Sequence, residues 1–159
     1  MDILPMPSDP NPPQASLQLQ KMYLRDVTFE QPNSPQIFSS TDTPQIQVNT
    51  NTFTALIEEG IYEVSIKVSI NATVEKKILF FAELEQAGLF EIRNLPLDQL
   101  APNLAINCTE LVYASIRENM ADLIQRTGFP PVVLQDIDFL ANYEKSLANQ
   151  VAARTQAST

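Results

Sequence analysis

The sequence contains no histidine and no tryptophan, only one cysteine, and three glycines. Without histidine, the commonest general base and metal ligand of proteins is missing. The single cysteine, Cys108, can form neither an intrachain disulfide nor a cysteine-rich zinc site. The glycines Gly60, Gly88 and Gly128 are far apart, so no glycine-rich loop can hold a phosphate group. These absences argue against an enzyme, and we expect no metal or cofactor.

Basic residues are also scarce, because 10 lysines and arginines stand against 19 aspartates and glutamates, for a net charge of −9. That balance disfavours binding to nucleic acid or to an anionic membrane surface and favours a basic partner. No apolar run approaches the roughly 18 residues of a membrane-spanning helix. Residues 1–14 lack the basic and apolar regions of a signal peptide. We therefore expect a soluble, cytoplasmic protein.

The two ends of the chain differ in composition from its middle. Five prolines in residues 1–15 remove backbone donors and predict a disordered tail. Residues 152–159 are polar and predict a flexible C-terminal tail. Residues 16–151 then form one domain of ordinary size.

The first half of that domain alternates apolar and polar residues. The alternation from Tyr62 to Val74 predicts a long strand with one buried face. Glu75-Lys76-Lys77 then connects it to a second strand that carries Ile78, Phe80, Ala82 and Leu84 on its buried face, which indicates an antiparallel hairpin.

Two further strands precede that hairpin. Residues 17–29 alternate as well, but the phase slips at Gln20-Lys21 and at Arg25-Asp26, as β-bulges in one long strand would cause. Ile46 and Val48 mark another strand, and the proline-containing stretch from Gln31 to Pro44 predicts an extended crossover.

The second half of the chain has helical periodicity. One apolar stripe runs from Cys108 to Ile124, which gives the thiol a core position, and Gly128 with Phe129-Pro130-Pro131 ends that helix. A last helix begins after Asp138, a good N-cap residue. Strands followed by helices indicate an α+β fold.

The outer face of the second hairpin strand combines apolar and acidic residues. Alternation places Leu79, Phe81, Glu83 and Glu85 there. Either another element or a second subunit covers the two apolar residues, or they form a docking patch rimmed by acid. Paired carboxylates can also support glycoside hydrolysis, but exposed ones are usually solvated surface.

Four segments, taken in order, resemble the protein-export chaperone family SecB. They are Met22–Glu30 with the following Gln31–Pro35, then Ile61–Val64, then Phe80–Phe90, then Gly128–Pro131 with Asp138-Phe139. Three places depart from the family pattern. Ala87-Gly88 replaces a common Gly-Gly pair, Ser39–Asp42 lacks a common tryptophan, and Tyr113–Glu118 differs from a common Phe-Pro-Tyr-Ala-Arg-Glu run. These departures concern the client groove more than the fold.

The resemblance implies a four-stranded antiparallel sheet with helices packed on one face, assembled as a homotetramer that is a dimer of dimers. It also implies an ATP-independent chaperone that binds unfolded precursor proteins and passes them to the SecA motor ATPase, whose zinc-carrying basic tail binds an acidic face. Matched residue by residue, that face falls on Asp26, Glu30, Phe81 and Glu83.

The residues that contact a client are less defined by the sequence. Candidates are the aromatic residues Phe38, Phe53, Phe139 and Tyr143, each of which core packing would explain equally well. Two other functions fit the same residues: a SecB-like chaperone dedicated to an antitoxin or other specific client, and an oligomeric scaffold without chaperone activity.

Overall fold

A computed structural model describes residues 13–158 and contains one sheet and a helical layer. The strands are β1 (Ser16–Glu30), β2 (Gln45–Glu58), β3 (Ile61–Val74) and β4 (Lys77–Arg93). A 3₁₀ helix (Gln36–Ser39) lies in the crossover between β1 and β2. The helices that follow the sheet are α1 (Leu97–Pro102), a π-helical segment (Asn103–Cys108), α2 (Thr109–Arg126) and α3 (Phe139–Ala157).

The four strands form one antiparallel sheet in the order β1-β4-β3-β2. The predicted hairpin is therefore the centre of the sheet. Its turn is one residue shorter than expected, because Lys77 already pairs with Val74. Glu75 and Lys76 both have positive φ, at 50° and 66°, as in the two-residue hairpin turns that suit the right-handed twist of the flanking strands. The α+β fold class is confirmed.

The two predicted phase slips in β1 are real bulges. The pairing of β1 with β4 shifts between Leu19 and Lys21 and again between Leu24 and Asp26. Each extra residue returns the apolar side chains to the helix side of the sheet. The prediction of one long, irregular strand is confirmed.

A third bulge corrects the prediction for the start of β4. Register with β3 shifts between Ala72 and Thr73, so that Ile78 pairs with Thr73 on the outer face. Leu79, predicted to face outward, is only 8% exposed, whereas Ile78 is 42% exposed. A one-residue slip exchanges the faces, and nothing in the alternation from Ile78 to Leu84 signals it.

The extent of β2, the conformation of the crossover and the end of the last helix also differ from the sequence predictions. β2 extends from Gln45 to Glu58, well beyond Ile46 and Val48, and the crossover contains the short 3₁₀ helix instead of being extended throughout. The helix α3 continues to Ala157, so residues 152–157 are helical, because alanine and arginine favour a helix and no glycine or proline interrupts it. The tail predicted for residues 1–15 falls mostly outside the described residues.

The core lies between the sheet and α2. Along β3 the side chains of Val64, Ile66, Val68 and Ile70 are fully buried, and they face a stripe on α2 formed by Val112, Ile116, Met120 and Ile124. Each such side chain contributes about 1.5–3 kcal/mol through burial. Cys108 is buried in the same core, and this burial raises the pKa of its thiol to about 11.

Two local features fix how the helices meet the sheet. Gly88 leaves no room for a side chain between β4 and α2, since a Cβ there would stand 2.7 Å from the Phe90 ring and 3.1 Å from Val112. Gly128 has a φ of +91° just after α2, and the Asp138 carboxylate accepts a 2.9 Å hydrogen bond from the Ala141 N–H to start α3. Both predicted helix ends are confirmed. Within residues 13–158, no helix is both long enough and apolar enough to cross a membrane.

Candidate functional site

The face of the sheet opposite the helices brings the predicted acidic residues together. Glu30 on β1 pairs with Phe81 on β4, and Thr28 pairs with Glu83. Asp26 is next along the same face, opposite Glu85. Asp26, Glu30, Phe81 and Glu83 therefore occupy alternate positions on two adjacent strands, and we call them the acidic face.

The carboxylates of this region differ in how far they are neutralised. Glu83 has Lys67 at 3.8 Å, and Arg25 bridges Glu63 at 2.8 Å and Glu85 at 3.6 Å. Within the described part of the chain, neither Asp26 nor Glu30 has an ion-pair partner, and both are exposed. The carboxylates of this face that remain available to bind a basic partner are therefore those of Asp26 and Glu30 on β1.

Tyr23 lies beside the arginine bridge on the same face. Its hydroxyl donates a hydrogen bond to Glu63. Burial, and then this bond to a carboxylate, raise the pKa of Tyr23 to about 12, so the hydroxyl remains a donor throughout the neutral range.

Phe53, predicted to contact clients, also lies on this outer face. It pairs with Ser65 and borders a shallow depression of about 280 Å³ that Arg25, Glu63 and Glu85 also line. Its side chain is 52% exposed. The structure does not bring Phe53 together with the other three client candidates, which lie on the helix side of the sheet.

A row of four aromatic rings crosses the helix side near the end of α2. Phe29 stacks on Phe80 at 5.8 Å between ring centroids, Phe80 packs on Phe129 at 5.3 Å, and Phe129 stacks on Phe38 at 5.0 Å. The row begins in the core and ends at Phe38, which is about half exposed. Phe38 therefore offers an open aromatic surface at the end of a rigid stack.

Two hollows follow the helix side of β2. The first, of about 300 Å³, is lined mainly by apolar residues, among them Ile46, Leu79, Phe129 and Val133. The second, of about 280 Å³, lies between the threonines of β2 (Thr50, Thr52, Thr54) and the start of α3. Both hollows border the same side of one strand, and we refer to the two together as the β2 groove.

Phe139 and Tyr143 both line the second hollow, but they contribute differently. Phe139 is buried and packs edge-on against Tyr113, with ring centroids 5.5 Å apart, so it forms the floor. Tyr143 is half-buried on the next turn of α3 and can contact a bound chain. Phe38, Phe139 and Tyr143 thus lie along the helix side of the sheet.

Sequence reasoning missed three groove residues, namely Ile46, Leu79 and Val133. Ile46 was predicted only as a strand residue. Leu79 was predicted to face outward, because the bulge at the start of β4 could not be seen in the sequence. Val133, 77% exposed, lies in the apolar stretch from Pro130 to Leu134, which has no periodicity, so nothing in the sequence indicates that this side chain is exposed.

The chain is similar to known proteins in both sequence and fold. A family model described as "Preprotein translocase subunit SecB" matches residues 10–150. "Protein-export protein SecB" of Methylibium petroleiphilum is 46% identical over 139 residues, covering 87% of this chain and 83% of the relative. "Protein-export protein SecB 1" of Polaromonas naphthalenivorans is 39% identical over 140 residues, covering 88% and 90%.

A solved structure shares the fold at low sequence identity. It is a SecB-like chaperone of Mycobacterium tuberculosis in complex with a peptide from an antitoxin. The two structures superpose with a TM-score of 0.63 and 17% identity, over 77% of this chain and 91% of the other.

Proposed function

The chain belongs to the SecB family, and from that membership we propose that it is an ATP-independent chaperone that binds unfolded precursor proteins and delivers them to the SecA motor for export. The observation that carries the proposal is the division of the sheet into two surfaces of different chemistry. The β2 groove borders the helix side of β2, with an apolar first hollow and a threonine-rich second hollow, and the acidic face lies on β1 and β4 on the opposite side.

The β2 groove suits an unfolded client. Its first hollow is lined by branched aliphatic and aromatic side chains, which bind by burial and impose no hydrogen-bond code. Phe38 extends this surface toward the crossover, and Tyr143 extends it along α3. A holdase needs such tolerance because its clients share exposed apolar segments and little else.

The acidic face suits the basic tail of SecA. Asp26 and Glu30 are exposed and free of ion pairs within residues 13–158, whereas Glu83 stands beside Phe81 on the next strand. Exposed charge pairs contribute about 0–1 kcal/mol each, so several must act together around an apolar anchor. We assign the anchor to Phe81 and the charges to Asp26, Glu30 and Glu83.

Assembly as a homotetramer, a dimer of dimers, is part of the same proposal. Leu19, Leu24 and Val27 on the helix side of β1, and Leu111 on α2, are large apolar residues that remain exposed in the single chain. A second copy would bury them. In this proposal the protein acts in the cytoplasm, has no enzymatic activity, and needs neither nucleotide nor metal.

A chaperone dedicated to one client is the second candidate, since the solved structure with the same fold holds an antitoxin peptide. The relatives that share 39% and 46% of their residues with this chain are named for protein export, which favours the general function.

Binding to a reduced, unfolded protein, with its native form as control, tests the proposal. We expect the purified protein to bind only the unfolded form and to suppress aggregation of several unrelated proteins without nucleotide. Equal binding to both forms would contradict a chaperone function and favour the oligomeric scaffold. Protection of a single client would favour the dedicated chaperone. A stable monomer in light scattering at micromolar concentration would contradict the tetramer.

A further inference from the structure

The outer side of the sheet contains a depression that lies over a row of small residues between large ones. Phe53 on β2 pairs with Ser65 on β3, and Ser65 pairs with Ala87 on β4. Ala87 in turn pairs with Tyr23 on β1. Residues that pair directly share one face of a sheet, so two small side chains here lie between two aromatic ones. The depression of about 280 Å³ beside Phe53 lies in this row, and we call it the outer pocket.

Two polar side chains that line the outer pocket lack hydrogen-bond partners. Ser65 is only 2% exposed, and no group within residues 13–158 forms a hydrogen bond with its hydroxyl. The Glu85 side chain is 18% exposed, and in the same part of the chain its carboxylate accepts no hydrogen bond. Polar groups with so little exposure are hydrogen-bonded in most proteins. The pocket therefore offers a carboxylate and a hydroxyl to a donor from outside.

Arg25 partly fills the outer pocket in the free protein. It lies at the second bulge of β1, where the extra residue re-aims its side chain across β4. Its Nη1 atom lies 2.8 Å from Glu63 Oε1 but 3.6 Å from Glu85 Oε1. A guanidinium has five N–H donors, and Arg25 uses only one of them in a hydrogen bond within the described residues. The pocket thus already accommodates a guanidinium, but Glu85 gains no hydrogen bond from it.

We propose that the outer pocket binds an arginine side chain of a basic partner, and that this arginine displaces Arg25 from Glu85. The inference rests on the proposed function, in which a basic partner binds the neighbouring acidic face, and it names the side chain that this partner inserts. In the bound state the guanidinium donates hydrogen bonds to the Glu85 carboxylate and to the Ser65 hydroxyl. It also stacks on the ring of Phe53, which is 52% exposed.

Size, shape and charge favour arginine over other occupants. A volume of about 280 Å³ lies just below the roughly 300–1,000 Å³ of pockets that hold small molecules, so a single side chain fits better. A planar guanidinium can form two hydrogen bonds with one carboxylate and stack on a ring, which an ammonium group cannot. Lys67 at the rim is directed to Glu83, at 3.8 Å, and leaves Glu85 available. The net charge of −9 attracts basic segments and repels acidic ones.

Fluorescence anisotropy with three labelled, capped peptides tests the inference. Each peptide has four lysines around one central residue, which is arginine, lysine or citrulline, the neutral analogue of arginine. The arginine and lysine peptides carry the same charge, so the acidic face attracts them equally. We expect the arginine peptide to bind at least ~3-fold more tightly than the lysine peptide, because only a guanidinium matches the carboxylate and the ring. The citrulline peptide should bind most weakly.

Variants of the outer pocket show whether the preference for arginine arises there. Phe53→Ala and Glu85→Gln should each abolish it. The matched controls are Leu56→Ala, at an exposed apolar residue of β2, and Glu91→Gln, at a carboxylate of β4 that also pairs with an arginine. Neither control residue lines the pocket, and both variants should keep the preference. Arg25→Gln removes the internal competitor, so the arginine peptide should bind up to about 3-fold more tightly.

Four results would overturn the inference. Equal binding of the arginine and lysine peptides would leave the acidic face as the site for the basic partner, without an arginine pocket. A preference that persists in both Phe53→Ala and Glu85→Gln would place the arginine elsewhere. Weaker binding to Arg25→Gln would make Arg25 part of the site instead of its competitor. Failure of all three peptides to bind would contradict the acidic face together with the outer pocket.

Discussion

The central strands and the outer strands of this sheet have different relations to solvent. The helix sides of β3 and β4 are almost completely buried by α2, as Ile66, Ile70 and Leu84 illustrate. The helix sides of β1 and β2 are covered less completely, and Val27, Ile46 and Val48 remain exposed. The stability of the fold therefore depends on the centre of the sheet, and the margins are available for binding.

The largest expected effect comes from enlarging the one residue that lets α2 approach the centre. Replacing Gly88 with valine places new atoms against the Phe90 ring and Val112, both within 3.1 Å of the added Cβ. Overpacking of this kind costs about 1–3 kcal/mol or more. Urea denaturation should show that loss, and the buried Cys108 thiol should react faster with a disulfide reagent at pH 8.

The matched control for that change is Ala55→Val, on the exposed outer side of β2. We expect a change within about 0.5 kcal/mol, as for most surface substitutions. Equal destabilisation by Gly88→Val and Ala55→Val would contradict the distinction between the centre and the margins.

The next effect concerns the acidic face. Changing Asp26, Glu30 and Glu83 together to alanine should weaken binding of SecA by about 10- to 100-fold, the sum of up to three exposed charge interactions. Raising the salt concentration should reproduce part of this loss. Isothermal titration calorimetry measures the affinity, and aggregation assays should show that client holding persists.

A triple variant with the same change in charge elsewhere serves as its control. Glu58, Glu59 and Asp98 are exposed and lie outside the acidic face. Their replacement by alanine should leave SecA binding nearly unchanged. If both triple variants bind equally well, or if the first also loses client holding, the two surfaces are not separate.

A smaller effect is expected in the β2 groove. Ile46→Ser combined with Val133→Ser removes two exposed apolar residues from the first hollow. We expect client binding to weaken about 3- to 10-fold, because each side chain contributes only part of the buried area. Leu97→Ser, at an exposed residue that lines neither hollow, is the control, and an equal loss there would argue against the groove.

The smallest effect is expected at the arginine bridge. Arg25→Gln frees Glu63 and Glu85 from their cation, so a basic peptide should bind up to about 3-fold more tightly at low salt. Arg25→Lys keeps the charge and should leave the affinity unchanged. Weaker binding of the glutamine variant, measured by the same calorimetry, would mean that Arg25 supports the acidic face directly.

The sequence by itself determined the elements whose side-chain pattern is local. Alternation located the hairpin of β3 and β4, the phase slips located both bulges of β1, and glycine and aspartate marked the helix ends at Gly128 and Asp138. It also placed Phe81 and Glu83 on one face, because alternation within a strand follows directly from backbone geometry.

Only the tertiary structure decided which strands are neighbours and which face each margin presents. Phe53 and Thr52 are adjacent in sequence, but the sheet directs one to the outer side and the other to the groove. The bulge at Leu79 and the edge position of β2 likewise depend on pairing between distant segments. The physical reason is that register, layer and edge position are properties of contacts between strands, which no local pattern encodes.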